Sequence, residues 1–389
     1  MPTTSISVRL HRFVLPILIL LASVGVGGCV SLDETGPIDR DHLARILQSR
    51  GLDPRLIILP YHLTDDMKHW AHETAPPMQD DASRLELLND RLLDIDQMAV
   101  EYSWGYTGTA IEVFENRKAN CLAFTNLFLG MAREVGVPAY FVAVENVESY
   151  RREGSLVVVS DHVAVGWGEA NSQIIYDFSE NPEPDYRFIR KISDLTAIAM
   201  FYSNRGAEAL QVGLVDDALR WLDVATRIDP ALASAWVNLG VVQRHAGHFD
   251  AAEASYKQAL DLDPRIYSAY HNLASLLRLL SRDEEAVAYE GTLERSPNRN
   301  PYTYLSLGDV NLRAGQFDDA ERYYRRAVNL SDDDPEVFAA LGQVALATGD
   351  LRLARRMLRK ARAARETVPH LDGSRVAVLE AALDPQHDI

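Results

Sequence analysis

From residue 199 to the late 360s the chain repeats itself every 34 residues, and few folds accommodate such a period. Gly206, Gly240, Ala274, Gly308 and Gly342 hold one position. Ala218, Ala252, Ala286, Ala320 and Ala354 hold another twelve later, and Leu239, Leu273, Leu307 and Leu341 a third. A small residue at a fixed place in each unit lets two helices approach closely, and Pro230 and Pro264 end the second helix of two units. Units this short cannot bury a hydrophobic face alone, so they must stack on one another. The pattern predicts an all-α solenoid over 199–368, with five repeats starting at 199, 233, 267, 301 and 335. Residues 369–389 form a C-terminal cap and tail, with a capping helix over 372–382. The third unit ends irregularly at Ser296–Pro301.

The period and its small-residue landmarks resemble tetratricopeptide repeats, whose first helices line a concave surface. Asn204, Asn238 and Asn272 stand at the sixth position of three successive units. By that resemblance, such a row of amides is expected to hydrogen-bond the backbone of an extended peptide. The alternative is that these side chains only tie neighbouring units together. Tyr267, Tyr270, Tyr302 and Tyr304 read as packing residues.

Upstream of the repeats the chain carries a single thiol apart from Cys29. Cys121 opens a stretch with apolar residues at 124, 127, 128, 131 and 135, helical spacing that Gly136 and Pro138 terminate. Partial positive charge at the start of such a helix favours the thiolate, the form that attacks a carbonyl carbon. Residues 155–167 read as one strand containing His162, and 173–178 as the next, containing Asp177. If the four residues 168–171 close a hairpin, Trp167 faces Ser172 and His162 lies opposite Asp177 on one sheet face. Cys121, His162 and Asp177 then form a nucleophile, a base and a group that orients the base.

Arg117-Lys118-Ala119-Asn120-Cys121, the downstream Ala132-Arg133-Glu134-Val135-Gly136-Val137-Pro138-Ala139, Asp161-His162-Val163 and Tyr176-Asp177 resemble the bacterial transglutaminase-like superfamily. The resemblance covers roughly residues 62–195. It implies an α+β papain-like core over 41–198, with Cys121 as nucleophile, His162 as base and Asp177 as third member. Many members carry Gly immediately before the cysteine where this chain has Asn120. The oxyanion donors are therefore assigned as the Cys121 N–H and a side chain, with Trp104 and Asn116 as candidates. The acids Glu86, Asp90, Asp94 and Asp96 read as a solvated helix face.

The N-terminus sets an expected compartment. Arg9, His11 and Arg12 precede a short apolar run, Phe13–Ala22, and then small residues up to Val26-Gly27-Gly28-Cys29. This reads as a signal peptide over 1–28. The last four residues resemble the bacterial lipobox, which implies lipidation at Cys29 and, with Val30 following, an outer-membrane lipoprotein facing the periplasm. Residues 29–40 are then a tether. With 39 basic against 56 acidic residues the chain carries a net charge of −17, and loss of Arg9 and Arg12 with the signal takes it to −19. Phosphate contacts need clustered basic charge, so a nucleic-acid partner is not expected. No CxxC, HExxH or glycine-rich phosphate loop appears, so no metal and no cofactor is expected. The expected function is thiol acyl transfer on peptide or protein amides, hydrolysis before transamidation, with envelope proteins or peptides as partners of the solenoid. The alternative is a non-catalytic scaffold that binds partners through its repeats.

Overall fold

The computed structural model describes residues 38–77, 80–103, 105–144, 149–153, 156–160, 162–169, 173–178, 189–295, 301–313, 315–331, 334–367 and 374–383. Three capped helices lead in: α1 (Arg40–Ser49), α2 (Asp65–Thr74) and α3 (Asp81–Leu93), each begun by a side chain, Asp39, Thr64 or Asp80, that accepts first-turn N–H groups. The short strand β1 (Glu101–Tyr102) pairs in parallel with β2 (Lys118–Ala119) across α4 (Ala110–Asn116). Next comes α5 (Cys121–Glu134), buried on almost every face.

The strands β3 (Tyr140–Val144), β6 (Val163–Trp167), β7 (Ile174–Tyr176) and β8 (Ile189–Lys191) make one antiparallel sheet in the order β7-β6-β3-β8. Between β3 and β6 the chain leaves this sheet as a separate hairpin, β4 (Ser149–Glu153) and β5 (Leu156–Ser160). The expected single strand over 155–167 is thus two strands in different sheets. His162 sits between them, its carbonyl accepting from Val144 N–H at 3.0 Å. A run of β-branched residues cannot reveal where a chain changes sheet, because both halves look equally strand-like.

The C-terminal half is all helical. The pairs are α6 (Asp194–Gln211) with α7 (Val215–Ile228), α8 (Ala233–His245) with α9 (Phe249–Leu262), α10 (Tyr267–Leu279) with α11 (Asp283–Arg295), α12 (Pro301–Arg313) with α13 (Phe317–Leu330), and α14 (Pro335–Ala347) with α15 (Leu351–Thr367). The last pair is covered by α16 (Ser374–Leu383). Ala218, Ala252, Ala286, Ala320 and Ala354 are all completely buried. The small-residue position explains itself at Gly240 and Gly308, where a Cβ would stand 2.5 and 2.3 Å from the rings of Tyr256 and Tyr324 on the partner helix. Tyr302 and Tyr304 are buried packing residues.

The two halves share one core. Its buried residues run from Leu43 through the α5 face and Phe141 to Leu195, Ile198, Phe201 and Ala235. The first solenoid helix begins at residue 194, five earlier than the period predicts, because its first turn is packed into that core. The strand β5 lies against α8 and α10, the first helices of the second and third pairs.

Gly130 and Gly291 should respond oppositely to alanine. A Cβ at Gly130 would meet the Tyr61 carbonyl oxygen at 2.5 Å, a backbone atom that cannot swing away. Gly130→Ala should cost about 1–3 kcal/mol by overpacking. At Gly291 the nearest atom is the flexible end of Arg295 at 3.1 Å, so Gly291→Ala should gain about 0.5–1 kcal/mol from helix entropy. Denaturant titration of the two variants checks both signs.

Candidate functional site

Cys121 is the first residue of α5, a free and buried thiol at 8% exposure. What stops the helix one residue earlier is Asn120. Its side-chain Oδ1 accepts from Ala123 N–H at 2.9 Å, and its Nδ2 donates to Thr107 Oγ1 at 2.7 Å. Its own N–H donates to the Tyr106 carbonyl at 3.2 Å. The residue that departs from the expected glycine is therefore the helix N-cap. The Cys121 N–H falls among the first-turn amides, which have no carbonyl four residues back to bond.

His162 and Asp177 meet directly. The imidazole Nε2 lies 2.6 Å from Asp177 Oδ1, with the two side chains 7% and 5% exposed. Cys121 is the second group that acts on the ring, and like Asp177 it favours the imidazolium. Burial works against the imidazolium, but the Asp177 hydrogen bond, then the hydrogen bond and charge of Cys121, then the charge of Asp177, outweigh it. Together they raise His162 from 6.5 to about 10.

The route to this meeting differs from the expected hairpin. In β6 and β7 the partners are Val165 with Tyr176, Gly166 with Ile175 and Trp167 with Ile174, so Trp167 does not face Ser172. The register is displaced by two residues, and continued by one step it sets Asp177 opposite Ala164 and diagonal to His162. A two-residue displacement leaves every side chain on its original face, because strand side chains alternate with period two. The pair therefore survives the wrong count. The connecting loop is longer than a four-residue turn, and its residues 170–172 lie outside the described residues.

Aromatic packing fixes the Asp177 end. Phe178 stacks on Phe124 of α5 at 4.3 Å between ring centroids, and Tyr176 meets Phe128 at 5.0 Å. The residues flanking Asp177 are thus pinned to the helix that starts with Cys121. Neither these contacts nor the buried Thr107 was readable from spacing, since each depends on which loop packs where. Of the two oxyanion side-chain candidates, Asn116 Nδ2 donates to Tyr106 Oη at 2.8 Å, and Trp104 lies outside the described residues.

The asparagine row requires a correction. Asn238 and Asn272 are 1% and 0% exposed, and Asn238 Nδ2 donates to Ser203 Oγ of the preceding unit at 3.1 Å. Only Asn204 is partly exposed. An amide sealed at that level cannot face an open groove; β5 lies on the same helices. Glu86, Asp90, Asp94 and Asp96 are all exposed. Among the described residues no group of three or more His, Cys, Asp or Glu side chains is placed to hold a metal ion, and no helix is long and apolar enough to cross a membrane. Cys29 lies outside the described residues.

Comparison with known proteins finds both kinds of unit in the chain. A transglutaminase-like superfamily model matches residues 68–189, and tetratricopeptide repeat models match residues 233–266 and 300–367. Over 192 residues, 48% of its length, the chain is 26% identical to human protein O-mannosyl-transferase TMTC1, and over 195 residues, also 48%, it is 26% identical to the Arabidopsis thaliana CTR9 homolog. It spans only 21% and 18% of the lengths of those two relatives. Among solved structures, the Thermus thermophilus tetratricopeptide protein TTC0263 is similar over 48% of this chain and 98% of its own, at 25% identity and a TM-score of 0.41. The chain is therefore built from a transglutaminase-like region followed by tetratricopeptide repeats.

Proposed function

We propose that this chain is a thiol acyl-transfer enzyme acting on peptide or protein amides, exported and anchored to the bacterial envelope by lipid on Cys29. The observation that carries the catalytic reading is Cys121 at a helix N-terminus, electrostatically coupled to a His162 that is itself held by Asp177 at 2.6 Å. In the first step the Cys121 sulfur attacks the amide carbonyl carbon, forming a C–S bond. The Cys121 N–H and the helix start stabilise the oxyanion. Imidazolium His162 then gives its proton to the leaving amine as the C–N bond breaks. Water attacks the thioester, its proton passes to His162, and the thiolate leaves. A second amine in place of water would make the same steps a transamidation; water is the more abundant acceptor, and hydrolysis is the favoured outcome. The repeats supply the surface for an envelope protein or peptide partner.

Iodoacetamide labelling of the full chain tests the pair. At pH 6, His162→Ala should slow Cys121 alkylation on the order of 10²-fold, the usual contribution of a positioned acid–base partner. Equal rates in the two proteins would remove His162 from the site.

Because His162 is raised to about 10, its proton should persist through neutral pH and titrate in the alkaline range. NMR of the labelled imidazole reads this directly. Asp177→Asn should move the titration to lower pH, since the carboxylate is a principal cause of the rise. The folded value lies above the unfolded 6.5, so the stabilisation from this pair is fully present below about pH 6.5 and is lost as pH climbs through 10. Asp177→Asn should accordingly destabilise the protein more at pH 6 than above pH 10.

Cys29→Ser tests the anchor. Each buried acyl CH₂ contributes about 0.8 kcal/mol of membrane affinity, so the variant should lose palmitate-analogue incorporation and leave the membrane fraction or accumulate as precursor. Undiminished lipid incorporation would refute the anchoring site.

A further inference from the structure

Thr107 is completely buried, and its hydroxyl, N–H and carbonyl are all engaged. The hydroxyl accepts from Asn120 Nδ2 at 2.7 Å. The N–H donates to Glu208 Oε1 at 2.7 Å, and the carbonyl accepts from Arg205 Nη1 at 3.4 Å. Glu208 and Arg205 stand on α6, a solenoid helix, 101 and 98 residues from Thr107 along the chain, and approach each other to 3.8 Å. A continuous line of hydrogen bonds therefore runs from the first repeat helix to the N-cap of α5.

The line ends where small displacements matter. Asn120 can cap α5 only with Oδ1 turned to Ala123 N–H, and this orientation obliges Nδ2 to point at Thr107. If Thr107 moves, the amide rotates or loses a partner, and the first turn of the helix, which starts with Cys121, loses its cap. A charged acceptor holds a backbone N–H more firmly than a neutral one. Glu208 places that acceptor on the residue that sets the Asn120 rotamer, whereas an adhesive contact between two halves of a chain has no reason to fall there.

We propose that Glu208 is a positioning residue for Cys121, acting through Thr107 and Asn120. The proposal rests on the reading of Cys121 as the nucleophile. It makes the first repeat helix part of the frame of the site, so that a partner which shifts α6 changes the reactivity of the thiol.

The test measures alkylation of Cys121 by iodoacetamide across pH 5–9 in the full chain, at a temperature well below unfolding, with thermal midpoints recorded separately. Glu208→Ala should slow labelling at pH 6 by at least about tenfold, the scale expected when a reacting group is displaced by a fraction of an ångström. Glu208→Asp, which keeps the charge but falls short by a methylene, should behave like Glu208→Ala. Glu208→Gln, whose amide oxygen can accept the same N–H, should restore most of the rate. A His162-dependent profile that Glu208→Ala and Glu208→Asp leave unchanged overturns the positioning role alone, whatever happens to the thermal midpoint. Identical profiles for the unmodified protein and His162→Ala overturn the nucleophile reading and the positioning role with it.

Discussion

The ion pair between Arg133 and Asp194 is the constraint around which the two halves are arranged. The two terminal guanidinium nitrogens donate one to each carboxylate oxygen, at 2.8 and 2.9 Å, with Asp194 2% exposed. Arg133 stands in the last turn of α5, where its charge faces the carbonyl end, and Asp194 in the first turn of α6, where its charge faces the amide end. The remaining capacity is also used: Arg133 Nε donates to the Ala139 carbonyl at 3.1 Å, and Ile38 N–H donates to Asp194 at 3.2 Å. The rings of Tyr61 and Phe141 lie 5.8 and 5.7 Å from the guanidinium. A buried pair this well satisfied fixes geometry more than it adds net stability, because desolvation offsets most of the Coulomb gain. It orders the C-terminal end of the helix whose other end carries the thiol.

The repeat half was legible because its signal is redundant. A small residue recurs in every unit, and at Gly206, Gly240 and Gly308 an added Cβ would meet a Leu or Tyr side chain of the partner helix. The candidate triad was legible for a different reason. Three residue types of complementary chemistry stood at plausible places, and the parity of a β-strand protected the His162–Asp177 inference from a loop length counted wrongly.

What the sequence concealed depends on contacts between segments distant along the chain. Asn120 read as a departure from a familiar pattern, and only its partners Ala123 and Thr107 show that it caps the helix. Asn238 and Asn272 read as a recognition row because period places a residue on a helix face without saying what else covers that face. The division of 155–167 into two strands was hidden likewise, since β-propensity does not record which sheet a strand joins.

The hairpin of β4 and β5 leads straight into His162 while lying on α8 and α10. Repeat arrays are commonly treated as interchangeable modules, free to be lengthened, shortened or exchanged by recombination. Here the inner surface of the second and third units is matched to a strand of the neighbouring fold. The lineage of this solenoid is therefore tied to that of the domain before it. Among the repeat helices the hairpin's strand β5 meets α8 and α10, so an exchange of the second and third units would have to be accompanied by change in the hairpin itself, a demand the units beyond α11 do not face.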